Sequence, residues 1–561
     1  MKPAENRPSV PSIRREAAFV AAMTALGLLV RIWGLGRLGL VHFDEGMYAI
    51  AGLWPLGAGG MDPLVIPYAP AGFPGLVGLS YLLLGPSDVA AILVSIAAGT
   101  LAVPVAAWLA RRTFGPGAGA TAAALAAVSG FHVAFSRMAL TDATFTLAWL
   151  VGLVVGQRFL ERPGAASAIV LGGATGLAQL VKYSGWTAGV AVMLAAAAIP
   201  ICDASRRTRA EQARIWGWGL LAAVVAALVY APWFRFVEAH GGYAGLMAHH
   251  RGYLGSAATW LPHWALQMEQ LGALSGGFAW NAAGWPLGLI GWAVARGVAR
   301  PSRWGLGGIG VLSVSAIAAP TTLWWVGLAG LAFPGREASP RLRLLGVAWV
   351  GLSILTPFYH PYARLWLPIQ ALGWIAAAGL VGEWSVPGLD PRATLRWRRA
   401  PMLVGCCAAA MVQALVTATS VGPVEGRPGL LAPSDSLRRA TALALADLPE
   451  AAPGLRVLAR PPVTFYLAGR GGARVEADAE GLLRGGGGAW ALVDLAQLRQ
   501  SGEVSDLGAR LLERWEKVGE YPTTLNLPTL LDVDPGAAAR ALPGEADAPL
   551  WLLRPRRPGG P

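Results

Sequence analysis

The chain has 561 residues, 55% of them hydrophobic and only 14% Asp, Glu, Lys or Arg, whereas an ordinary soluble chain carries about 25% charged residues. One soluble core does not accommodate this much apolar sequence, because cores stop growing beyond about 250–300 residues. Three cysteines (Cys202, Cys406 and Cys407) exclude a disulfide scaffold. The net charge of +13 raises nucleic acid as a partner, a question that the placement of the charges decides.

Residues 1–420 hold 29 Lys/Arg and 15 Asp/Glu, and residues 421–561 hold 16 and 17. The first segment has the composition of bilayer spans with short loops, and the second that of a water-facing domain. The expected architecture is a polytopic α-helical membrane domain over 1–420, followed by a soluble extracytoplasmic α/β domain over 421–561.

A basic leader, "RPSVPSIRRE", precedes the first apolar run, Ala17–Val30, which continues without a small-residue cleavage signal and reads as a membrane helix rather than a removed signal peptide. A span needs about 17–25 apolar residues. Taken in chain order, the spans fall near 17–35, 88–110, 118–135, 143–160, 165–182, 184–201, 214–232, 281–297, 304–318, 320–335, 344–359, 364–382 and 401–419. A shorter run, Ala71–Gly85, is read as not crossing. With it kept out, the basic loops at Arg111/Arg112, Arg158/Arg162, Arg206–Arg214, Arg296–Arg303, Arg336–Arg343 and Arg392–Arg399 all fall beside the basic N-terminus. Loops rich in Lys and Arg stay cytoplasmic, so thirteen spans place the N-terminus inside and the C-terminal domain outside. The positive charge is then an orienting signal, and no nucleic-acid partner is expected.

The opposite face is poor in charge, and its ionisable residues stand out. Asp44 and Glu45 follow the first span in "VHFDEGMYA"; Arg137 and Asp142 lie in "FSRMALTDATF"; Lys182, one of three lysines, lies in "LVKYSGW"; Tyr362 and Arg364 lie in "YARLWLP". Charges at membrane depth are costly unless paired or functional. Singly, Lys182 and Arg364 have an ordinary reading as snorkelling side chains, and Asp142 as a helix cap. Together on one side, carboxylates able to hold or deprotonate a hydroxyl beside cations able to hold a phosphate suit glycosyl transfer from a sugar linked to a lipid phosphate.

Other chemistry is less supported. No Walker A sequence occurs, and "LGGATG" (Leu171–Gly176) reads as small-residue helix packing rather than a dinucleotide fingerprint. His240, His249, His250 and His263 fall in the long outer loop between Trp233 and about Trp280. They read as contacts to lipid headgroups or an acceptor before they read as a metal site; no cofactor is expected, and a divalent metal is left open. Beyond Ser420, strands alternate with helices as in a small α/β domain. "GLRVLARPPVTFYLAG" reads as a strand then a short helix, "AWALVDLAQLRQS" likewise, "LGARLLERWEKVGEYPTTLNLPTLLDVD" as a helix then one or two strands, and "LLRPRRPGGP" as a basic tail against headgroups. Nothing in this region reads as a catalytic group, and a lid or acceptor-binding role is expected. Gly-rich Arg484–Trp490 reads as a loop.

With these motifs in view, the chain resembles bacterial members of the glycosyltransferase-C superfamily, in the group of protein O-mannosyltransferases and the lipid A aminoarabinose transferase. The resemblance runs over roughly 14–385 and rests on "VHFDEGMYA", on Asp62–Ser95, on "FSRMALTDATFTL", on "GLAQLVKYSG" and on "YARLWLP". It implies inverting transfer of one sugar from a polyprenyl or dolichyl phosphate carrier to a protein, lipid or glycan acceptor; short loops and a lack of retention signals fit a bacterial inner membrane, and with it undecaprenyl phosphate as the carrier. Carried over residue by residue, it implies Asp44 as base or acceptor-positioning carboxylate, Glu45 as its partner and Asp142 as the completing acid. Lys182 and Arg364 would hold the carrier phosphate, with Tyr362 and Arg137 as second-rank candidates. A secondary transporter or flippase-like protein is the competing reading, and would need broken helices with coupling residues near mid-membrane. A structural membrane protein is the third.

Overall fold

The computed structural model describes residues 10–57, 69–115, 117–202, 208–274, 339–383, 433–450, 454–468, 473–476, 478–484, 489–500, 504–533, 535–536 and 549–556. Its first part is helical: α1 (Val10–Ile32), α2 (Phe43–Ala51), α3 (Gly72–Leu84), α4 (Asp88–Phe114), α5 (Ala118–Val128), α6 (Gly130–Ser136), α7 (Thr141–Glu161), α8 (Ala165–Val181), α9 (Thr187–Cys202), α10 (Arg209–Ala239), α11 (Gly242–Arg251), α12 (Ala257–Leu274), α13 (Pro340–Leu355) and α14 (Leu367–Glu383). Five described helices are long and apolar enough to cross a bilayer, namely Arg14–Arg37, Asp88–Phe114, Thr141–Glu161, Arg209–Ala239 and Pro340–Phe358. The expected span 118–135 is a bent pair, α5 and α6 meeting at 57°. The expected spans 281–297, 304–318, 320–335 and 401–419 lie outside the described residues, as does most of the Gly-rich 484–490 stretch.

Helix α3 has 13 residues, about 20 Å at 1.5 Å per residue, shorter than a hydrocarbon core of about 30 Å. Its Leu79, Leu82, Leu83 and Leu84 are exposed while Phe73, Val77 and Tyr81 pack inward. One face is thus packed on its neighbours while the other is apolar and open. The predicted long loop after Trp233 is mostly helical instead: α10 runs on to Ala239, and α11 and α12 follow. The i, i+3, i+6 spacing of buried Met268, Leu271 and Leu274 marks α12 as a helix with one packed face.

At one end of the bundle Glu16 pairs with Arg111 at 3.4 Å, and Glu161 pairs with Arg112 at 2.8 Å and with Arg341. These residues come from the start of α1, the end of α4, the end of α7 and the start of α13. At the other end lie the loops that carry the sequence-selected acids and cations.

That second end is covered by the C-terminal residues: α15 (Ser436–Ala446), β1 (Leu455–Leu458), α16 (Pro461–Tyr466), β2 (Ala473–Val475), α17 (Ala479–Arg484), β3 (Trp490–Asp494), α18 (Leu495–Gln500), α19 (Val504–Arg514), β4 (Trp515–Tyr521), α20 (Leu527–Val533) and β5 (Leu550–Pro555). The sheet order is β2-β1-β3-β5-β4, with β1 parallel to β2 and β3, and β5 antiparallel to β3 and β4. Separate apolar clusters cover its two faces. One expectation fails here. "LLRP" belongs to strand β5 between β3 and β4 and is not a surface tail, because Leu550 and Leu552 face one apolar cluster while Trp551 and Leu553 face the other; residues 557–561 lie outside the described residues. Of the one or two strands expected after helix α19, β4 is one; the "LPTLLDV" that follows it is helix α20, with Leu527 through Asp532 all buried.

The two parts share backbone bonds. Ser434 N–H donates to Arg37 O at 3.0 Å, Leu40 N–H to the Tyr466 hydroxyl at 2.8 Å, and Arg460 Nη1 to Val41 O at 3.1 Å. Arg438 Nη1 donates to Asp88 Oδ2 at 2.9 Å. Gly46 of α2 sits so close to α16 that a Cβ there would lie 2.1 Å from Pro462 N. Only glycine permits that approach.

The "LGGATG" stretch packs as its small residues suggest. A Cβ on Gly172 would lie 2.3 Å from Ala222 O of α10, whereas one on Gly173 would meet nothing within 4 Å. Both substitutions by Ala gain the same helix propensity, about 1 kcal/mol, so their difference isolates the α8–α10 contact. Gly172→Ala is expected to lower the thermal unfolding midpoint relative to Gly173→Ala, by an amount of about 1–3 kcal/mol; equal midpoints would refute close packing of α8 on α10.

Candidate active site

The acidic motif starts a helix. His42 is the N-cap of α2: its Nδ1 accepts from Asp44 N–H at 3.0 Å, and Glu45 Oε2 accepts from His42 N–H at 2.9 Å, a reciprocal capping box. Glu45 also accepts from Val41 N–H at 2.9 Å through Oε2 and from Ala139 N–H at 2.8 Å through Oε1. Both of its oxygens are therefore committed to backbone, and they tie α2 to the segment just before α7. Burial pushes the Glu45 carboxyl up from its ordinary range while those three N–H groups hold it down, burial prevailing.

Asp44 points to Arg364. Arg364 Nη1 lies 2.7 Å from Asp44 Oδ2 and 3.8 Å from Asp142 Oδ2, and Arg364 Nε lies 3.0 Å from Asp532 Oδ2. Asp142, in the first turn of α7, receives Lys182 Nζ on Oδ1 at 2.5 Å. Lys182 ends α8, and its ammonium stands 5.8 Å above the Phe145 ring. Helices α2, α7, α8 and α20 and the short turn before α14 thus converge on one cluster. Burial opposes the Arg364 charge, and Asp532, Asp44 and Asp142 answer it.

Arg364 is set on a 3₁₀ turn, Ala363–Trp366. Its guanidinium lies 4.9 Å over the Tyr362 ring, within cation–π range. The approach to that turn is fastened to the α11–α12 connection: Gly255 N–H donates to Phe358 O at 2.7 Å, and His360 N–H to Tyr253 O at 2.7 Å. Tyr253 and Tyr359 stack at 5.9 Å, His360 and Tyr362 meet at 4.5 Å, and His250 Nδ1 contacts the Tyr359 hydroxyl at 2.9 Å. These rings form an aromatic and imidazole shelf beside the charged cluster. Flat rings of this kind carry apolar faces with polar edges. Among the described residues no group of three or more His, Cys, Asp or Glu is arranged to hold a metal ion.

Of the seven residues selected from sequence, five meet: Asp44, Asp142, Lys182, Arg364 and Tyr362. Glu45 stands behind them as a scaffold. Arg137 is not brought to the cluster. Its Nη1 donates to Arg31 O at 2.9 Å and Trp33 O at 2.6 Å, satisfying carbonyls at the end of α1. Two members were missed. His42 contacts Asp532 Oδ2 through Nε2 at 3.1 Å; with Nδ1 accepting from a backbone N–H, the hydrogen-bond pattern assigns the proton to Nε2. Asp532 comes from the C-terminal part, where no catalytic group was expected. The available signal was an Asp inside the otherwise apolar run "LPTLLDV".

Residues 69–234 match the family model described as dolichyl-phosphate-mannose-protein mannosyltransferase. The fold is similar to that of ArnT from Cupriavidus metallidurans bound to undecaprenyl phosphate, with a TM-score of 0.54, 15% identity, and 96% of this chain and 97% of that chain covered. The apo state of the same ArnT gives a TM-score of 0.53 at 16% identity, covering 96% and 98%. The Archaeoglobus fulgidus oligosaccharyltransferase tethered with an acceptor peptide gives 0.52 at 11% identity, covering 90% of this chain and 72% of that one. No curated protein matches. The protein is therefore a membrane protein of glycosyltransferase-C fold. Within that class it is ArnT-like in overall architecture, and its 69–234 segment carries the mannosyltransferase family pattern.

Arg137→Met leaves the α1 carbonyls without their donor and is expected to cost about 1–3 kcal/mol, read as a lower thermal unfolding midpoint; an unchanged midpoint would return Arg137 to the list of ligand-binding candidates. A second outcome concerns pH. Burial lowers His250 and His360 below the ordinary histidine range. Their neutral forms therefore contribute stability that is fully present above about pH 6.5 and is lost as pH falls below it toward the folded values. The unfolding midpoint should drop between pH 7.5 and pH 5, and the His250→Gln/His360→Gln double variant should drop less; an equal drop would refute the assignment.

Proposed function

We propose that this protein is an inverting glycosyltransferase. It moves one sugar from a polyprenyl-phosphate-linked donor, with undecaprenyl phosphate as carrier, to a hydroxyl or phosphate acceptor on a protein, lipid or glycan. The reaction is assigned to the outer side of a bacterial cytoplasmic membrane, in keeping with the basic loops of the opposite side and the positive-inside rule. In this reading residues 1–420 form the catalytic membrane domain and residues 421–561 an extracytoplasmic domain.

The observation that carries the reading is the meeting of two carboxylates and two cations from four separate segments at one end of an apolar bundle: Asp44 and Asp142 with Arg364 and Lys182. The arrangement supplies what the transfer needs. The acceptor oxygen attacks the anomeric carbon from the face opposite the phosphate. As the new C–O bond forms, the bond from that carbon to the carrier phosphate oxygen breaks, and its electron pair stays with the phosphate. Arg364 and Lys182 stabilise the charge that builds there. The acceptor proton passes to Asp44, which holds the hydroxyl in line. Asp142 keeps Lys182 and Arg364 at the phosphate. The mannosyltransferase pattern over 69–234 and the fold shared with an ArnT that binds undecaprenyl phosphate support the same donor class.

Sugar transfer is measured with the full chain in membranes supplied with polyprenyl-phosphate-linked sugars. Asp44→Asn is expected to lower kcat by about 10²-fold or more, while Lys182→Met and Arg364→Met chiefly weaken donor binding. Unchanged turnover in both Asp44→Asn and Asp142→Asn would overturn the site. Substrate movement across sealed vesicles with no glycosylated product would favour a transporter.

A further inference from the structure

We propose that Asp532 is a positioning residue that occupies Arg364 in place of the carrier phosphate and yields it when the donor arrives. The inference rests on the reading of Arg364 as a phosphate-binding residue and deepens it by giving the C-terminal segment a part in donor entry and release.

The first argument is charge. The buried cluster contains three carboxylates, Asp44, Asp142 and Asp532, against two cations, Lys182 and Arg364, with His42 in the tautomer that caps α2. It already carries one negative charge in excess. A phosphate adds at least one more, and an uncompensated buried charge is costly. A phosphate therefore competes with these carboxylates for Arg364 and Lys182.

The second argument is which carboxylate gives way. Asp44 is fixed in the first turn of α2, whose cap and capping box are complete. Asp142 is fixed in the first turn of α7 and held by Lys182. Asp532 arrives on α20, a seven-residue helix of the other part of the chain. Its Oδ2 lies 3.0 Å from Arg364 Nε, yet no hydrogen bond is aligned on that buried N–H, and Asp532 Oδ1 is likewise buried without a partner among the described residues. The contact is one of charge without good hydrogen-bond geometry. A phosphate oxygen on the Nε side can make the aligned bond that Asp532 does not.

The third argument is where Asp532 goes. His42 Nε2, 3.1 Å from the same Oδ2, retains the carboxylate when Arg364 is released. The displaced side chain thus keeps a hydrogen-bond donor close to its present position. After transfer, its return to Arg364 competes with the polyprenyl phosphate product and promotes its departure.

The test is binding of undecaprenyl phosphate to the full chain in lipid nanodiscs. If Asp532 holds Arg364 about nine-tenths of the time, the apparent Kd is about tenfold weaker than the intrinsic one. Asp532→Asn, and Asp532→Ser as a second variant, are then expected to bind the carrier about tenfold more tightly. In turnover they show lower KM and stronger inhibition by undecaprenyl phosphate. A merely structural role would weaken binding instead. Equal or weaker binding by folded variants, with wild-type binding intact and Arg364→Ala unable to bind, would overturn this inference and leave the carrier-phosphate reading standing. Wild-type binding that Arg364→Ala does not diminish would overturn the carrier-phosphate reading itself. In the wild-type chain, hydrogen exchange over Leu527–Val533 is expected to speed up when undecaprenyl phosphate is added; unchanged or slower exchange also counts against the inference.

Discussion

A guanidinium buried at the end of an apolar bundle needs acceptors, and much of this architecture follows from the three carboxylates that answer Arg364. Leaving a buried cation without compensation costs several kcal/mol, a large share of a protein's total stability. Here Asp44, Asp142 and Asp532 supply the compensation from three elements far apart in sequence. Each must reach within a few ångströms, so α2, α7 and α20 are drawn to one point. The aromatic packing of Tyr362 and the tethers from Tyr253 and Gly255 then hold the turn that presents the guanidinium.

The surrounding structure is built to keep those three carboxylates in place. Glu45 uses both oxygens on backbone N–H groups and binds α2 to the entry of α7. Arg137 serves the end of α1. Gly46 lets α16 lie directly against α2, which brings the C-terminal segment close enough for Asp532 to enter. Groups that look equivalent on paper therefore divide into those that line the cluster and those that aim it. The division follows from the partners each side chain meets: Glu45 and Arg137 bond backbone groups, whereas Asp44, Asp142 and Asp532 meet cations.

The cluster also makes the C-terminal sheet more than an appendage. Its Arg460 and Tyr466 bond the Val41 and Leu40 backbone just ahead of His42, and Arg438 pairs with Asp88 at the head of α4. A change in how α20 sits is thus felt at Arg364 through one ion pair and at α2 through several bonds. In a site with an excess of negative charge, such coupling is a direct means for an arriving anion to rearrange the protein around it.

Composition and hydropathy alone determined the helical membrane class, most of the described span positions and the shortness of α3, because burial in lipid demands long apolar runs that are visible locally. The pairing of Asp44, Asp142, Lys182 and Arg364 was also foreshadowed, since charges at membrane depth are rare enough to mark themselves. The roles of Glu45 and Arg137 were not legible, because a charged residue beside a helix end looks the same whether it meets a ligand or a backbone group. Strand β5 was hidden by its basic flank, and α11 and α12 by the histidines and glycines that suggested a loop. Asp532 and His42 belong to the site only because two segments separated by 490 positions come within 3.1 Å, and that distance is set by the packing of whole elements. Local pattern reports what a residue prefers to be near, and only the tertiary structure decides which partner it meets.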